Sequence, residues 1–253
     1  MRSVEEFRAL VEDALAELTL AGDLAGLEQV ARYALEGGGK RIRPVLALAV
    51  GEALGREPEE VLPAACALEL VHTFSLVHDD LPALDDDDTR RGRPSVWAEF
   101  GEDVAVLAGD ALLAEAFRLA LSYETPAVAR VLADATLGMI GGQYLDVTGG
   151  APDLAALNRL KTGRLFEAAV CCALAVADAP AETWPRFAQE LGALFQLVDD
   201  LLDGDGHVEA HGAEETRRMA DEAADRALAA LAELDADTSV LEGVVESLAT
   251  RTS

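Results

Sequence analysis

Residues 67–80, ALELVHTFSLVHDD, decide the fold. Apolar side chains cover most sides of this stretch instead of one face, a pattern typical of a helix buried in the middle of a bundle. The stretch ends in Asp79 and Asp80, which place paired carboxylates where an apolar helix stops. It therefore predicts a helical core with a polar site at one end.

Helical periodicity continues on both sides of this stretch. Near the N-terminus, VEEFRALVEDALAEL repeats apolar residues every three or four positions, as one face of a helix requires. No segment alternates with period two between turn residues, so we predict no sheet. The sequence predicts one all-α domain over residues 1–253, a helical bundle with a central cavity. Its predicted helices cover about residues 24–36, 43–54, 61–80, 102–122, 127–148, 153–177, 183–203, 213–234 and 238–250.

Composition limits the partners. A formal net charge of −27 argues against nucleic acid and against an anionic membrane surface, because both need an extended basic surface. No uninterrupted apolar run approaches about 18 residues, so we predict no membrane span. The acidic, amphipathic N-terminus does not resemble a secretory signal. Cys66, Cys171 and Cys172 lack metal-ligand spacing, which favours a reduced, cytoplasmic protein.

A second aspartate cluster repeats the first. In FQLVDDLLDGDG, residues 195–206, an apolar stretch again runs into two aspartates, Asp199 and Asp200, and then a third, Asp203. The first cluster has the same order, with Asp85 as its third acid. On a helix, Asp199 and Asp203 lie one turn apart on the same face, so their charges repel.

These clustered carboxylates need a positive partner, since acids at the end of an apolar helix are also partly desolvated. Mg²⁺ is the natural candidate, because it binds one or two carboxylates, keeps waters and completes its shell with phosphate oxygens. The alternative is a solvated helix end, and the loop acids 86–88 fit that description. The sequence thus predicts metal ligands at Asp79, Asp80, Asp85, Asp199, Asp200 and Asp203.

Basic residues are placed selectively. Of the 20 lysines and arginines, only Lys40 and Lys161 are lysines. Lys40 follows three glycines and begins a helix together with Arg41 and Arg43, an arrangement suited to holding a phosphate group. Lys161 is followed by the hydroxyl of Thr162. Ordinary surface charge is the alternative for both lysines, but together with the acids they predict a site for diphosphates.

The motifs in this order resemble those of the trans-isoprenyl diphosphate synthases of the polyprenyl synthetase family, and most of all the bacterial farnesyl diphosphate synthases. The resemblance runs from about residue 37 to 203. It is carried by GGGKRIRP, by HDDLPALDDDDTRRGRPS with its DDxxxxD spacing, and by GGQYLD, KTGRLF and FQLVDDLLD.

The resemblance implies an all-α bundle of the isoprenoid synthase type, a homodimer, which joins isopentenyl diphosphate to an allylic diphosphate. The six aspartates would hold three Mg²⁺ ions that bridge to the allylic diphosphate and draw it off to leave an allylic cation. The catalytic set is Asp79, Asp80, Asp85, Lys161, Asp199 and Asp200. Isopentenyl diphosphate would be bound by Gly39, Lys40, Arg43, His72 and Arg91, and the allylic substrate by Arg90, Lys161, Thr162 and Gln196.

Product length is predicted from the residues before the first motif. Phe74 lies five residues before Asp79, on a helix face from which it would floor the cavity for the growing chain, with Ser75 beside it. In the family, an aromatic residue here together with an insertion such as Pro82-Ala83 resembles the bacterial C15 producers. We therefore expect farnesyl diphosphate, with geranylgeranyl diphosphate as the alternative.

The chain departs from the family after about residue 203. Relatives continue through a lysine-containing loop that closes over the allylic diphosphate, whereas this chain passes almost directly into a helix and has no lysine after Lys161. Arg217 and Arg218 would supply substitute charge or lie on the helix surface. Two further hypotheses therefore stay open: a non-catalytic regulatory subunit, and a terpene cyclase. The second motif, DDLLD, and the isopentenyl-type site around Lys40 weigh against the cyclase.

Overall fold

The computed structural model describes residues 2–20, 22–151, 153–181 and 183–251. It has an all-α fold, as predicted. The helices are α1 (Val4–Glu17), α2 (Leu27–Glu36), α3 (Ile42–Ala53), α4 (Pro58–Asp79), α5 (Val96–Phe100), α6 (Glu102–Ala120), α7 (Ala127–Thr148), α8 (Leu154–Asn158), α9 (Arg164–Ala177), α10 (Trp184–Asp203), α11 (His207–His211), α12 (Ala213–Ala232) and α13 (Ser239–Ala249).

Helix α4 lies in the middle of the bundle, as its sequence predicts. It packs against α6, α3, α9 and α1, and Leu68, Leu70 and Val71 are fully buried. By length and composition α4 also qualifies as a membrane span, with a window of mean hydropathy 1.4, but 67% of that window is buried inside the protein. The other helices of the bundle therefore cover its apolar surface.

A short hairpin interrupts the helical pattern after the first aspartate motif. Strands β1 (Thr89–Arg90) and β2 (Arg93–Pro94) pair antiparallel, with Arg90 opposite Arg93. The two residues of the turn, Arg91 and Gly92, have φ values of 54° and 76°. Positive φ at both positions is the type I′ geometry that matches the twist of paired strands. The prediction of no sheet misses this element because two-residue strands carry no alternation.

One predicted helix, 153–177, is two helices joined by a π-helical turn at Arg159–Gly163. Single π-helical turns often occur at functional sites, because the extra residue shifts the side chains that follow it. Here the turn contains Lys161 and Thr162. After α10, the chain forms only the five-residue α11 before α12 packs back along α10. The short connection expected after residue 203 is thus α11.

Candidate active site

The first aspartate motif begins at the last residue of α4. Asp79 ends the helix, and the backbone N–H of Asp85 donates to the carbonyl of Asp79 at 2.9 Å. This bond folds the loop back, so that Asp85 comes near the side chain of Asp79. Burial, and then the charge of Asp85, raise the pKa of Asp79 to about 6. Two predicted metal ligands are therefore close together and short of positive charge.

Asp80, the second acid of this motif, points inward. Its side chain is buried, and Arg90 Nε donates to both of its carboxylate oxygens, at 2.7 and 2.9 Å. Arg90 lies on strand β1, so the hairpin holds the guanidinium at the end of α4. Burial raises the pKa of Asp80, and the bonds from Arg90 oppose that shift. The Asp80 carboxylate is thus already paired within the protein.

In the second motif, too, the first acid is half-buried and the second is buried and paired. Asp199 is half-buried, and burial, together with the charge of Asp203, raises its pKa to about 6. Its Oδ1 atom accepts a hydrogen bond from Arg251 Nη1 at 3.0 Å. Asp200 is only 3% exposed and accepts from Gln196 Nε2 at 2.7 Å. Its other oxygen contacts the His207 backbone nitrogen at 2.9 Å and the His207 ring nitrogen Nδ1 at 2.6 Å.

A basic cavity of about 590 Å³ lies beside α4. Arg91 rests its guanidinium against Gly39, where a Cβ atom would come within 2.9 Å of Arg91 Nη1. This contact, together with a φ of 148°, explains the glycine before Lys40. The residues predicted to bind isopentenyl diphosphate all line this cavity, namely Gly39, Lys40, Arg43, His72 and Arg91.

Arg43 offers an unused donor in this cavity. Its guanidinium stacks over Phe166 at 4.8 Å from the ring centre, and its buried Nε has no hydrogen-bond partner within the protein. A buried donor without a partner is costly unless a ligand accepts from it. Burial and the nearby guanidiniums of Arg43 and Arg91 hold the pKa of His72 well below its usual range. A neutral imidazole and several arginines therefore face the space where an anion fits.

Arg41, included among the predicted phosphate-binding cations, has another role. Its side chain is buried and forms ion pairs with Glu69 at 2.5 Å and with Glu12 at 2.9 Å. It also donates to the carbonyl of Leu35 at 2.8 Å. Its backbone adopts φ 49° just before α3. Arg41 therefore fixes the glycine-rich approach to the helix, and the expectation that its charge is free for phosphate is wrong.

The π-helical turn places its two polar residues on different walls. The ammonium of Lys161 forms an ion pair with Asp146 of the GGQYLD motif, and the Thr162 hydroxyl donates to Gln196 Oε1 at 3.0 Å. A Cβ atom at Gly142 would come within 2.9 Å of the Lys161 backbone nitrogen. The glycine of GGQYLD thus allows α7 to approach the turn closely.

An apolar cavity of about 340 Å³ lies on the other side of α4. Phe74 is 6% exposed and meets His78 edge-on at 5.0 Å between ring centres. Both polar atoms of the Gln143 side chain are buried there without a hydrogen-bond partner. The cavity has Asp79 and Lys161 among its polar lining, and its other walls are Phe74, Ser75, His78, Leu84, Met139, Ile140, Gln143, Tyr144 and Val147.

The carboxylates suit a cation that the substrate helps to bind. Among the residues that the structure describes, no three histidine, cysteine or acidic side chains form a ready metal site. Asp79 and Asp199 nevertheless carry raised pKa values, each with a second acid close by. This donor set fits Mg²⁺, which takes one or two carboxylates and obtains the rest of its shell from water and phosphate.

Several residues of the site carry no motif that predicts them. Arg251 contacts Asp199 from the far end of the chain, 52 positions away, and His207 lies in the shortened segment. Gln143 and Asp146 belong to the GGQYLD segment, but the motif does not indicate which of its residues face the site. Arg217 and Arg218 do not supply the missing lid charge. Arg217 donates to the Ala249 carbonyl at 3.2 Å, while Arg218 pairs with Glu215 and Glu222 on the surface of α12.

Comparisons with known proteins agree with this geometry. The polyprenyl synthetase family model matches residues 25–221. A geranylgeranyl diphosphate synthase of Cyanophora paradoxa is 44% identical over 216 residues, covering 78% of this chain and 72% of that protein. A farnesyl diphosphate synthase of Bacillus subtilis is 38% identical over 221 residues, covering 80% and 75%.

The fold agrees as well. The crystal structure of an FPP/GFPP synthase from Zymomonas mobilis superposes with a TM-score of 0.89 at 31% identity, covering 98% of this chain and 97% of that one. The family match includes the glycine-rich basic segment and both aspartate motifs, and residues of all three line the two cavities. The chain therefore belongs to the polyprenyl synthetase family, as a trans-isoprenyl diphosphate synthase.

Proposed function

We propose that this prenyltransferase joins isopentenyl diphosphate to an allylic diphosphate, dimethylallyl or geranyl, and releases farnesyl diphosphate. The observation that supports this proposal most directly is the pairing of a basic cavity with an apolar one. Both cavities are lined by residues of α4 and of the π-helical turn. The reaction needs both: two diphosphate groups must be held, and an apolar chain must grow away from them. His72 faces the basic cavity and Phe74 the apolar one, from the same helix.

Isopentenyl diphosphate is assigned to the basic cavity. Lys40, Arg43 and Arg91 line it, and the free Nε of Arg43 needs an acceptor. Charge-assisted bonds from guanidinium to phosphate are among the strongest that a protein makes. A neutral His72 fits here as a hydrogen-bonding residue that adds no charge.

The allylic diphosphate is assigned to the space between the two motifs. Asp79, Asp85, Asp199 and Asp203 are the proposed Mg²⁺ ligands, because their carboxylates are not committed to a buried pair. Asp80 and Asp200 are assigned the separate role of holding the site in place, since their oxygens accept from Arg90, Gln196 and His207. Bound Mg²⁺ would supply Lewis-acid stabilisation of the departing diphosphate.

The residues around the reacting carbon would steer the allylic cation. Thr162 and Gln196 line the basic cavity, and Lys161 lines the apolar one next to Asp79. The hydroxyl and amide oxygens present partial negative charge, and such dipoles fixed in advance favour a developing cation. The largely apolar lining of the other cavity suits the growing hydrocarbon chain.

Farnesyl diphosphate is the proposed product because Phe74 closes one wall of the apolar cavity. The ring is 6% exposed and held against His78, and packed interiors do not yield by several ångströms. Geranylgeranyl diphosphate is the second candidate. It is favoured by the similarity to synthases of both products and by the exposure of Tyr144 and Val147, at 67% and 61%, on the opposite wall.

A homodimer in the cytoplasm is part of the proposal. Exposed apolar side chains lie on α6 and α7, and a group of this kind marks a surface that another protein covers. The residues are Val106, Leu107, Leu137, Ile140, Tyr144 and Val147. All three cysteines are free, and burial raises the pKa of Cys66 to about 12, as suits a reduced compartment.

The test is to incubate the purified protein with Mg²⁺, labelled isopentenyl diphosphate and each allylic primer in turn, and then to size the products. We expect a C15 product from dimethylallyl and geranyl diphosphate and none with EDTA. A C20 product would change the proposed product to geranylgeranyl diphosphate. Release of a cyclic hydrocarbon without consumption of isopentenyl diphosphate would indicate a terpene cyclase. No elongation by the protein alone, but elongation after adding an active synthase, would indicate a regulatory subunit.

A further inference from the structure

A continuous chain of hydrogen bonds joins the shortened segment to the allylic site. Thr162 Oγ1 lies 3.0 Å from Gln196 Oε1, and Gln196 Nε2 lies 2.7 Å from Asp200 Oδ1. Asp200 Oδ2 lies 2.6 Å from His207 Nδ1 and 2.9 Å from the His207 backbone nitrogen. Asp200 and His207 are buried, at 3% and 6% exposure, so water does not compete for these bonds.

The direction of every proton in the chain follows from the carboxylate. An ionised carboxylate only accepts, so Nδ1 of His207 must carry a proton and the amide nitrogen of Gln196 must face Asp200. The amide oxygen of Gln196 then faces Thr162, whose hydroxyl must donate to it. The remaining lone pairs of that hydroxyl are left for the cavity. The charge on Asp200 therefore fixes which atoms Gln196 and Thr162 present to a substrate.

The backbone before His207 shows that this contact is built into the segment. Gly206 has a φ of 51°, and a Cβ atom there would come within 2.5 Å of Asp200 Oδ2. Only glycine lets the chain approach so closely. Helix α11 then starts with the His207 N–H donating to the same oxygen. The segment is thus tied to the second motif through Asp200.

We propose that His207 is a positioning residue for the prenyl transfer. By donating from Nδ1 to Asp200, it holds the Asp200–Gln196–Thr162 chain in the one arrangement that leaves the free lone pairs of the Thr162 hydroxyl for the cavity that Thr162 lines. This inference rests on the proposed function. It gives the segment after α10 a role in orienting the side chains of Gln196 and Thr162 through Asp200.

The test compares three variants. His207→Leu removes the donor at similar volume, and His207→Asn keeps an N–H donor at the place of Nδ1. His211→Asn is the matched control, because His211 is exposed on the same short helix with its ring 6.1 Å from that of His207. Each is assayed with geranyl and isopentenyl diphosphates for kcat and for both KM values, and its thermal midpoint is recorded.

We expect His207→Leu to lower kcat by roughly 10- to 100-fold, the scale of effect that a misplaced reacting group causes. The KM for isopentenyl diphosphate should stay the same, because that site lies among Lys40, Arg43 and Arg91. His207→Asn should recover most of the lost kcat, and His211→Asn should match the wild type. A downfield imidazole proton resonance should be present in the wild type and His211→Asn and absent from His207→Leu.

Two results would overturn the inference while leaving the proposed function intact. One is an elongating wild type whose His207→Leu variant keeps its kcat. The other is a His207→Asn variant that is no more active than His207→Leu at an equal thermal midpoint, since the donor would then not matter. A wild type that does not elongate geranyl diphosphate would overturn the proposed function together with this inference.

Discussion

The two aspartate motifs both place a pair of acids at the end of a helix, but the second acid of each pair is held by different partners. In each, the first acid is half-buried at the cavity with its pKa raised to about 6, and the second is buried and paired. Asp80 is held by a charged guanidinium from a hairpin, whereas Asp200 is held by an amide and an imidazole. We therefore propose that each pair combines one acid that binds the ligand with one that holds the site in place.

The different partners of Asp80 and Asp200 change where positive charge lies in each motif. Arg90 neutralises Asp80, so the first motif is left with Asp79 and Asp85 for metal. At the second motif, Arg251 contacts the outward acid Asp199 instead. The guanidinium of Arg251 therefore pairs with one oxygen of a proposed metal ligand.

The largest expected effect is on turnover, and it separates outward from inward acids. Asp79→Asn and Asp199→Asn should each lower kcat by about 10³-fold, the upper range for losing one group that stabilises charge in the transition state. Added EDTA should abolish turnover of the wild type. Product formation against Mg²⁺ concentration is the measurement. Full turnover by either variant at ordinary Mg²⁺ would remove that acid from the ligand set.

The Asp79→Asn substitution should stabilise the fold even though it lowers turnover. The folded-state pKa of Asp79 is about 6 against an unfolded value of 3.8, so the charged side chain destabilises the fold increasingly as pH rises from about 4 to 6. In EDTA at pH 7.5, Asp79→Asn should raise the free energy of unfolding by about 1 to 3 kcal/mol. The gain should shrink toward pH 4.5, as chemical denaturation at the two pH values would show.

Asp80→Asn is the matched control for that measurement. It removes a buried charge whose pKa is raised by burial, but it also leaves Arg90 without its carboxylate, so the two effects oppose each other and the free energy of unfolding should rise less than in Asp79→Asn. An equal or larger rise in Asp80→Asn at pH 7.5 would contradict the assignment of one outward and one inward acid.

Product length should change with Phe74. Phe74→Ala removes the ring from the wall of the apolar cavity, so the chain can extend past the position that it blocks. We expect C20 to replace much of the C15 product, measured by chromatography of the dephosphorylated alcohols. Leu84→Ala, on the same cavity but 37% exposed, is the control and should leave the product distribution unchanged. Unchanged products from Phe74→Ala would place the floor elsewhere.

The smallest effect is expected at Arg251. Arg251→Gln removes a partly exposed ion pair, and such pairs contribute about 0.2 to 1 kcal/mol. The thermal midpoint should therefore change little, while the Mg²⁺ concentration for half-maximal turnover should fall as Asp199 loses a competing cation. A higher Mg²⁺ requirement would instead show that Arg251 helps to hold the substrate.

Most of this architecture can be predicted from the sequence, because each long helix has its own periodic pattern of apolar residues. Helical periodicity places the longer helices to within a few residues, and the buried character of α4 follows from its apolar faces. The hairpin and α11 were missed because two to five residues are too short for a periodic signal. Gly142 is required by a close approach to Lys161, and Gly206 by a close approach to the Asp200 side chain, and no periodic pattern records either contact.

Within the site, chemistry was easier to predict than orientation. Paired acids and isolated lysines indicate diphosphate and metal, but a sequence does not show which acid of a pair faces inward. That depends on partners outside the aspartate motifs themselves, such as Arg251 and His207. Arg41 shows the same limit: it lies between two ligand-facing residues, yet its charge belongs to Glu12 and Glu69.

The division between outward and inward acids is tested most directly by Mn²⁺ binding. Electron paramagnetic resonance would follow free Mn²⁺ during titration of the protein with pyrophosphate present, for Asp79→Asn, Asp80→Asn, Asp199→Asn and Asp200→Asn. The first and third variants should bind Mn²⁺ more weakly, whereas the second and fourth should bind it like the wild type. Equal loss of Mn²⁺ affinity in all four would show that every acid is a ligand and would contradict the account.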